Sequence, residues 1–177
     1  RGDLPILFDF SQCGGSIPLD LGNMKKVMAA FSGHKSLLGP QGTGVLYISP
    51  DIALKTILEG GTGSMSEMLI QPDFSPDRFE VGTQNTPGIL GLHEGVSFLL
   101  KQGISNLFAH KIDLTRHLFS ELSNMRDVSI YHSGDFSRHI PIVSFNIGTL
   151  HSEEAATILS RDFDISLRGG LHCAPLI

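Results

Sequence analysis

Cysteine is scarce in this chain, with Cys13 and Cys173 the only two among 177 residues. Two such thiols cannot form the disulfide framework of a small secreted domain. No secretory leader is visible either, so the cytosol is the expected compartment. Eight histidines are present, but no Cys-x-x-Cys or His-x-x-x-His spacing, and no metal site is expected. No apolar run approaches the ~20 residues of a membrane-spanning helix, so no membrane association is expected. Basic charge is in deficit: 13 Lys and Arg face 18 Asp and Glu, a net charge of −5. That balance argues against a general nucleic-acid binder. The run Gly39-Pro40-Gln41-Gly42-Thr43-Gly44 lacks both the Gly-Lys-Ser/Thr ending of a phosphate loop and the Gly-x-Gly-x-x-Gly spacing of a dinucleotide fold. It reads instead as a turn that lets backbones approach closely. Internal repeats and low-complexity segments are missing.

What remains is a chain of 41% hydrophobic and 18% charged residues, suited to a packed core, and long enough for one domain or slightly more. Strands are expected over 4–10, 27–31 and 44–48. Ser49 is expected to cap a short helix beginning at Pro50. A glycine-rich loop spans Glu59 to Ser66, and Gln71 to Asp77 reads as extended. Thr86 and Pro87 open a helix with Ile89, Leu92, Val96 and Leu99 on its apolar face. Ser105 is expected to cap a second helix, which ends near Met125. Strands follow over 128–131 and 140–147, the latter with Val143, Phe145 and Ile147 on one face. Ser152 is expected to cap a third helix, and 165–167 reads as a last strand before the Cys173 loop. The pattern changes near residues 103–106. Residues 1–104 read as part of a doubly wound α/β domain, and 105–177 as a small α+β domain.

The chemistry gathers on Lys35. It lies between Gly33 and Gly39, on a loop that leaves the strand over 27–31. A desolvated lysine tends to give up its charge, and a neutral amine is what a Schiff base needs. An ordinary turn lysine with its head in water fits the same stretch. Upstream, Asp9 ends the first strand, and ligands of α/β sheets collect outside the carboxyl ends of strands. Lysine and carboxylate together suit pyridoxal phosphate, which needs an amine for its aldehyde and an acid for its ring nitrogen.

Asp9-x-x-Gln12, then Ser32-Gly33-His34-Lys35, then Gly39-Pro40-x-Gly42-x-Gly44 resemble the class V aminotransferases, in particular the cysteine desulfurase and selenocysteine lyase branch. Arg78-Phe79-Glu80-Val81-Gly82-Thr83-Gln84-Asn85-Thr86 and Arg168-Gly169-Gly170-Leu171-His172-Cys173-Ala174-Pro175 are similar to later motifs of that family, in the same order. Where the family usually has proline, this chain has Gln84.

The resemblance implies a fold-type-I α/β large domain, cut short, followed by a small α+β domain. It implies pyridoxal phosphate held by Lys35, with Asp9 on the ring nitrogen and Gln12 on the phenolic oxygen. Ser32 and His34 would reach the phosphate, although both also suit turn capping. Thr83 would reach the phosphate of a neighbouring subunit's cofactor, which implies a homodimer with shared sites. Cys173 would take sulfur from L-cysteine, leaving alanine and a persulfide, and would pass it to an acceptor protein. Arg168 and His172 would serve the substrate and the thiol. An inert loop cysteine and a surface arginine are the plain alternatives. A selenocysteine lyase, another class V lyase or aminotransferase, and an inactive fragment also stay open. Family members extend further on both sides, so the resemblance implies that this chain is a fragment. Cys13 is expected to be a buried small hydrophobe.

Overall fold

The computed structural model describes residues 4–175. It divides between Leu107 and Phe108 into two compact units. The division falls inside a helix, a few residues beyond the change of pattern in the sequence.

The first unit is built on three strands: β1 (Ile6–Asp9), β2 (Val27–Ser32) and β3 (Gly44–Ile48). β2 is central. It runs parallel to β1, with Asp9 level with Ala30, and antiparallel to β3, with Ser32 level with Gly44. Val27 and Ala29 are buried, as the two-residue period of a strand with one covered face requires.

Helix α1 (Thr86–Gln102) follows a long irregular stretch. Its cap is Asn85, whose side-chain oxygen accepts the Gly88 N–H at 3.1 Å. Thr86 is therefore the first helical residue rather than the cap, and Pro87 sits in the first turn, where no N–H is needed. Leu92 and Leu99 are buried, whereas Ile89 is exposed. The helix backbone lies directly on the turn after β2: a Cβ added at Gly95 would come within 2.5 Å of the Leu37 carbonyl oxygen.

The short helix expected after Ser49 does not form. Ser49 is buried, and its hydroxyl accepts the Val27 N–H at 3.1 Å and donates to Asp51 at 2.5 Å. Asp51 in turn accepts the Lys26 N–H. A hydroxyl that pins the start of β2 is not free to cap a helix, and the chain makes a single turn, Ile52 N–H to Ser49 O. Gln71, also buried, joins two loops: its amide donates to the Asp77 and Glu80 carbonyls and accepts the Gly60 N–H. Cys13 is half-buried rather than enclosed.

Helix α2 (Ile104–Ser123) carries the chain into the second unit. It starts one residue before Ser105, which therefore lies in its first turn and is not its cap. β4 (Val128–Tyr131) and β5 (Ser144–Ile147) form an antiparallel pair, and α3 (Ser152–Phe163) packs on β5. The strand expected over 140–147 is only half realised, because Ile142 N–H turns back onto the Ile140 carbonyl. In the paired half, Phe145 and Ile147 are the more covered residues, as the alternation requires. Ser152 is the first residue of α3 and His151 holds the cap position; the Ser152 hydroxyl accepts the Gly170 N–H instead. The strand expected over 165–167 is missing. Asp164 closes α3 in the left-handed conformation, and Ile165 N–H returns to Leu159, so the segment runs on without a partner. No helix among the described residues is long and apolar enough to cross a membrane.

An aromatic cluster lies in the second unit. The His132 ring lies 4.8 Å from that of Phe119 and 4.5 Å from that of Phe136, and stacks on His139 at 3.7 Å. Arg116 lies over Phe136. His132 Nδ1 accepts the Gly134 N–H, so the neutral ring carries its proton on Nε2, which is buried without a partner. Burial, and then the charge of His139, hold the pKa of His132 below its ordinary value. The neutral form is thus favoured by folding. Its contribution is fully present above the unfolded value near 6.5 and is lost as pH falls through the lower folded value. Imidazole NMR should show His132 titrating below about 6.5, and denaturant midpoints should fall in mild acid less steeply for His132→Phe than for the parent.

Candidate active site

Two segments carry the chemically capable side chains, one in each unit. In the first, parallel pairing sends the chain out of β1 and β2 at the same end of the sheet. Asp9 is the last residue of β1. Lys35 lies in the turn that starts directly after β2. The turn is closed by backbone: Gly33 N–H donates to Thr43 O at 2.9 Å, Gly39 N–H to Gly33 O at 2.8 Å and Leu38 N–H to Lys35 O at 3.0 Å. A Cβ on Gly33 would meet the Thr43 carbonyl oxygen at 2.8 Å, so only glycine allows this closure. Lys35 is half-buried. Ser32 Oγ and His34 Nδ1, on either side of Gly33, share a hydrogen bond of 3.3 Å.

The Asp9 carboxylate accepts the Ser11 N–H at 2.9 Å. Hydrogen bonds from the Ser11 hydroxyl and backbone hold it below the usual carboxylate range. Desolvation opposes this, and the charge of Lys35 adds the smallest effect. Ser11 had no reading from the sequence beyond its place beside Asp9. Gln12 follows on the same loop with an exposed side chain.

Thr83 is placed on the loop before α1, exposed, next to Gly82 at φ 75°. It lines a cavity with Thr62, Ser64, Asp77 and Glu80. This lining contains two carboxylates and no cation.

In the second unit, Arg168, His172 and Cys173 come together on the loop after α3. Arg168 Nη2 donates to Cys173 Sγ at 2.9 Å, and His172 Nε2–H donates to the Arg168 carbonyl at 2.9 Å. His172 and Cys173 both take left-handed backbone, at φ 53° and 61°. The loop is docked at its glycines: a Cβ on Gly169 would meet the Ser152 carbonyl oxygen at 2.6 Å. Cys173 is exposed.

A depressed carboxyl contributes stability that is present above the ordinary value near 3.9 and is lost as pH falls through the folded value. Ser11→Ala removes the first-named cause. In carboxyl-carbon NMR, Asp9 of that variant should titrate closer to its ordinary value than in the parent, while Asp51, which depends on Ser49 and Lys26, should not move.

Known proteins give the arrangement its context. A probable cysteine desulfurase of Pyrococcus abyssi is 34% identical over 176 residues, covering 96% of this chain and 43% of its own length. The solved Escherichia coli cysteine desulfurase CsdA, in an S-sulfonic acid form, superposes with a TM-score of 0.83 at 26% identity, over 96% of this chain and 42% of that one. The cystine C–S lyase C-DES, solved with its product cysteine persulfide, gives a TM-score of 0.68 at 26% identity, over 89% and 42%; a variant of it holds glycine linked to pyridoxal phosphate. This chain thus spans less than half the length of the relatives it matches. The pattern of the class-V aminotransferases matches residues 2–177, and the chain belongs to that family.

Proposed function

We propose that this chain forms part of a pyridoxal-phosphate-dependent cysteine desulfurase that takes sulfur from L-cysteine onto Cys173. The observation that carries the reading is the exit of Asp9 and Lys35 from one end of two parallel strands. The donor set fits the cofactor. Lys35 would hold the aldehyde through its amine. Asp9, kept ionised, would face the ring nitrogen, and Gln12 the phenolic oxygen. Ser32 and His34, already joined by a hydrogen bond, would turn donors toward the phosphate. When bound, pyridoxal phosphate supplies an electron sink for negative charge on the substrate carbon skeleton.

Cys173 supplies the acceptor for sulfur. Its thiolate forms an S–S bond to the substrate sulfur as the bond from that sulfur to carbon breaks. The bonding pair stays with carbon, which takes up a proton and leaves as L-alanine. Arg168, already donating to Cys173 Sγ, orients the thiol and offers a guanidinium to the substrate carboxylate. His172 braces the loop through the Arg168 carbonyl. The persulfide then passes to an acceptor protein. A thiol has no part in plain transamination, and Cys173 favours desulfuration over that alternative; selenocysteine would present the same chemistry to it.

Thr83 would complete the phosphate site of a second copy in a homodimer. Its own cavity carries two carboxylates and no cation, so the cations that balance a phosphate would have to come from the second copy. The enzyme is proposed to work in the cytosol.

Borohydride treatment of the full-length holoenzyme should fix the pyridoxyl label on the peptide carrying Lys35; a label on Lys25, Lys26 or Lys55 would remove the basis of the assignment. Cys173→Ala should keep the cofactor's visible band and still change colour on addition of cysteine, since neither Lys35 nor Asp9 needs the thiol. Its release of alanine should drop on the order of a thousandfold, because no neighbouring group replaces a lost nucleophile. Cys13→Ala should release alanine at the parent rate.

A further inference from the structure

We infer that Ser16 and Ser36 are positioning residues for the cofactor site, joined in a hydroxyl relay that holds the Lys35 turn against the loop carrying Gln12. The inference rests on the proposed role of Lys35. Ser16 Oγ–H donates to Ser36 Oγ at 2.6 Å, and Ser36 Oγ–H reaches the Gln12 carbonyl at 3.5 Å. Both contacts cross between segments more than a helical turn apart in sequence: Ser36 follows Lys35 directly, and Ser16 and Gln12 lie on the loop after β1.

The relay sits where the two segments touch without side chains between them. A Cβ on Gly15 would come within 2.5 Å of the Ser36 carbonyl oxygen, and Gly15 has φ +86°. A Cβ on Gly14 would meet the Phe31 ring at 2.4 Å. Glycine is needed at Gly15 for backbone to lie on backbone, and at Gly14 for the Phe31 ring to lie against the loop. Such a contact excludes water but has no direction of its own. The two hydroxyls give it one, since a hydrogen bond fixes where the turn sits along the loop.

The arrangement also explains why two hydroxyls serve in place of one. By accepting from Ser16, the Ser36 hydroxyl is polarised and donates more strongly to the Gln12 carbonyl. Loss of either hydroxyl therefore breaks the same relay. Gln12, whose side chain is read as a partner of the cofactor ring, and Lys35, read as its anchor, would then move independently.

The test uses full-length holoenzyme as Ser16→Ala, Ser36→Ala and the double variant. Two readouts report on the site: the pH midpoint of the cofactor's visible band, and the rate at which the cofactor is lost on dilution. Denaturant midpoints of the cofactor-free proteins report on general stability. Each single variant should lose cofactor about fivefold faster, the worth of one ordinary hydrogen bond, and should shift the band midpoint by about half a pH unit. The double variant should go no further than the singles, because residues acting as one unit are not additive. Unchanged band midpoints in folded variants, or effects of the two that add, would overturn the inference. Should one single variant fail to fold, the other still breaks the relay and decides. The borohydride label is mapped in the parent as well: a label off Lys35 means the underlying assignment fails, whereas a label on Lys35 with unmoved midpoints means the relay alone does.

Discussion

The parallel register of β1 on β2 is the constraint on which the first unit depends. With Asp9 level with Ala30, both strands release the chain at the same end of the sheet, and the loops that follow meet. A slip of one residue would turn Asp9 to the opposite face and separate the acid from the amine. β3 secures the arrangement from the other side. Because it runs antiparallel, its start lies beside the end of β2, and the Thr43 carbonyl can close on Gly33. Helix α1 then lies on the turn through Gly95. The Lys35 turn is thus held by strand, loop and helix backbone, all at distances that only glycine permits.

The sequence made much of this legible. Apolar runs marked β2 and β3 within a residue, and an acid at the end of a buried-type run marked the exit of β1. Helical periodicity found α1, α2 and α3. What it could not show is which partner a hydroxyl chooses. Ser49 and Ser152 stand where caps belong, yet one pins the start of β2 and the other receives the loop of Cys173. A serine can satisfy a helix end or a distant N–H equally well, and only the folded chain decides. The same holds for the segment over 165–167, where the residue types suit a strand but no neighbour offers a ladder. Ser16 and Ser36 carried no local signal, because their contacts are set by the tertiary approach at Gly15.

The cysteine loop is built on a different principle. Two consecutive residues with side chains, His172 and Cys173, hold left-handed backbone. For such residues this costs about 1–2 kcal/mol each, and structures keep it only where surrounding contacts over-determine it. Those contacts are present. Arg168 reaches Cys173 Sγ, the His172 ring returns to the Arg168 carbonyl, and Ala174 N–H closes on Leu171 O. Gly169 and Gly170 lie against the start of α3. The strain turns the thiol outward and keeps it beside a guanidinium.

The two segments therefore answer opposite demands. An anchor for a cofactor has to stay where the reaction needs it, and Lys35 is half-buried on a turn braced mainly by backbone. A sulfur carrier has to accept from one partner and deliver to another, and Cys173 is exposed on a loop whose own side chains set its shape. Its guanidinium contact can be exchanged for one with substrate or acceptor while Gly169 and Gly170 keep the loop on the start of α3. The turn around Lys35 is held instead by backbone hydrogen bonds, close approaches at glycine and the Ser16–Ser36 hydroxyls. Rigidity and adaptability are thus assigned by the kind of contact used, and each matches the chemistry proposed for its residue.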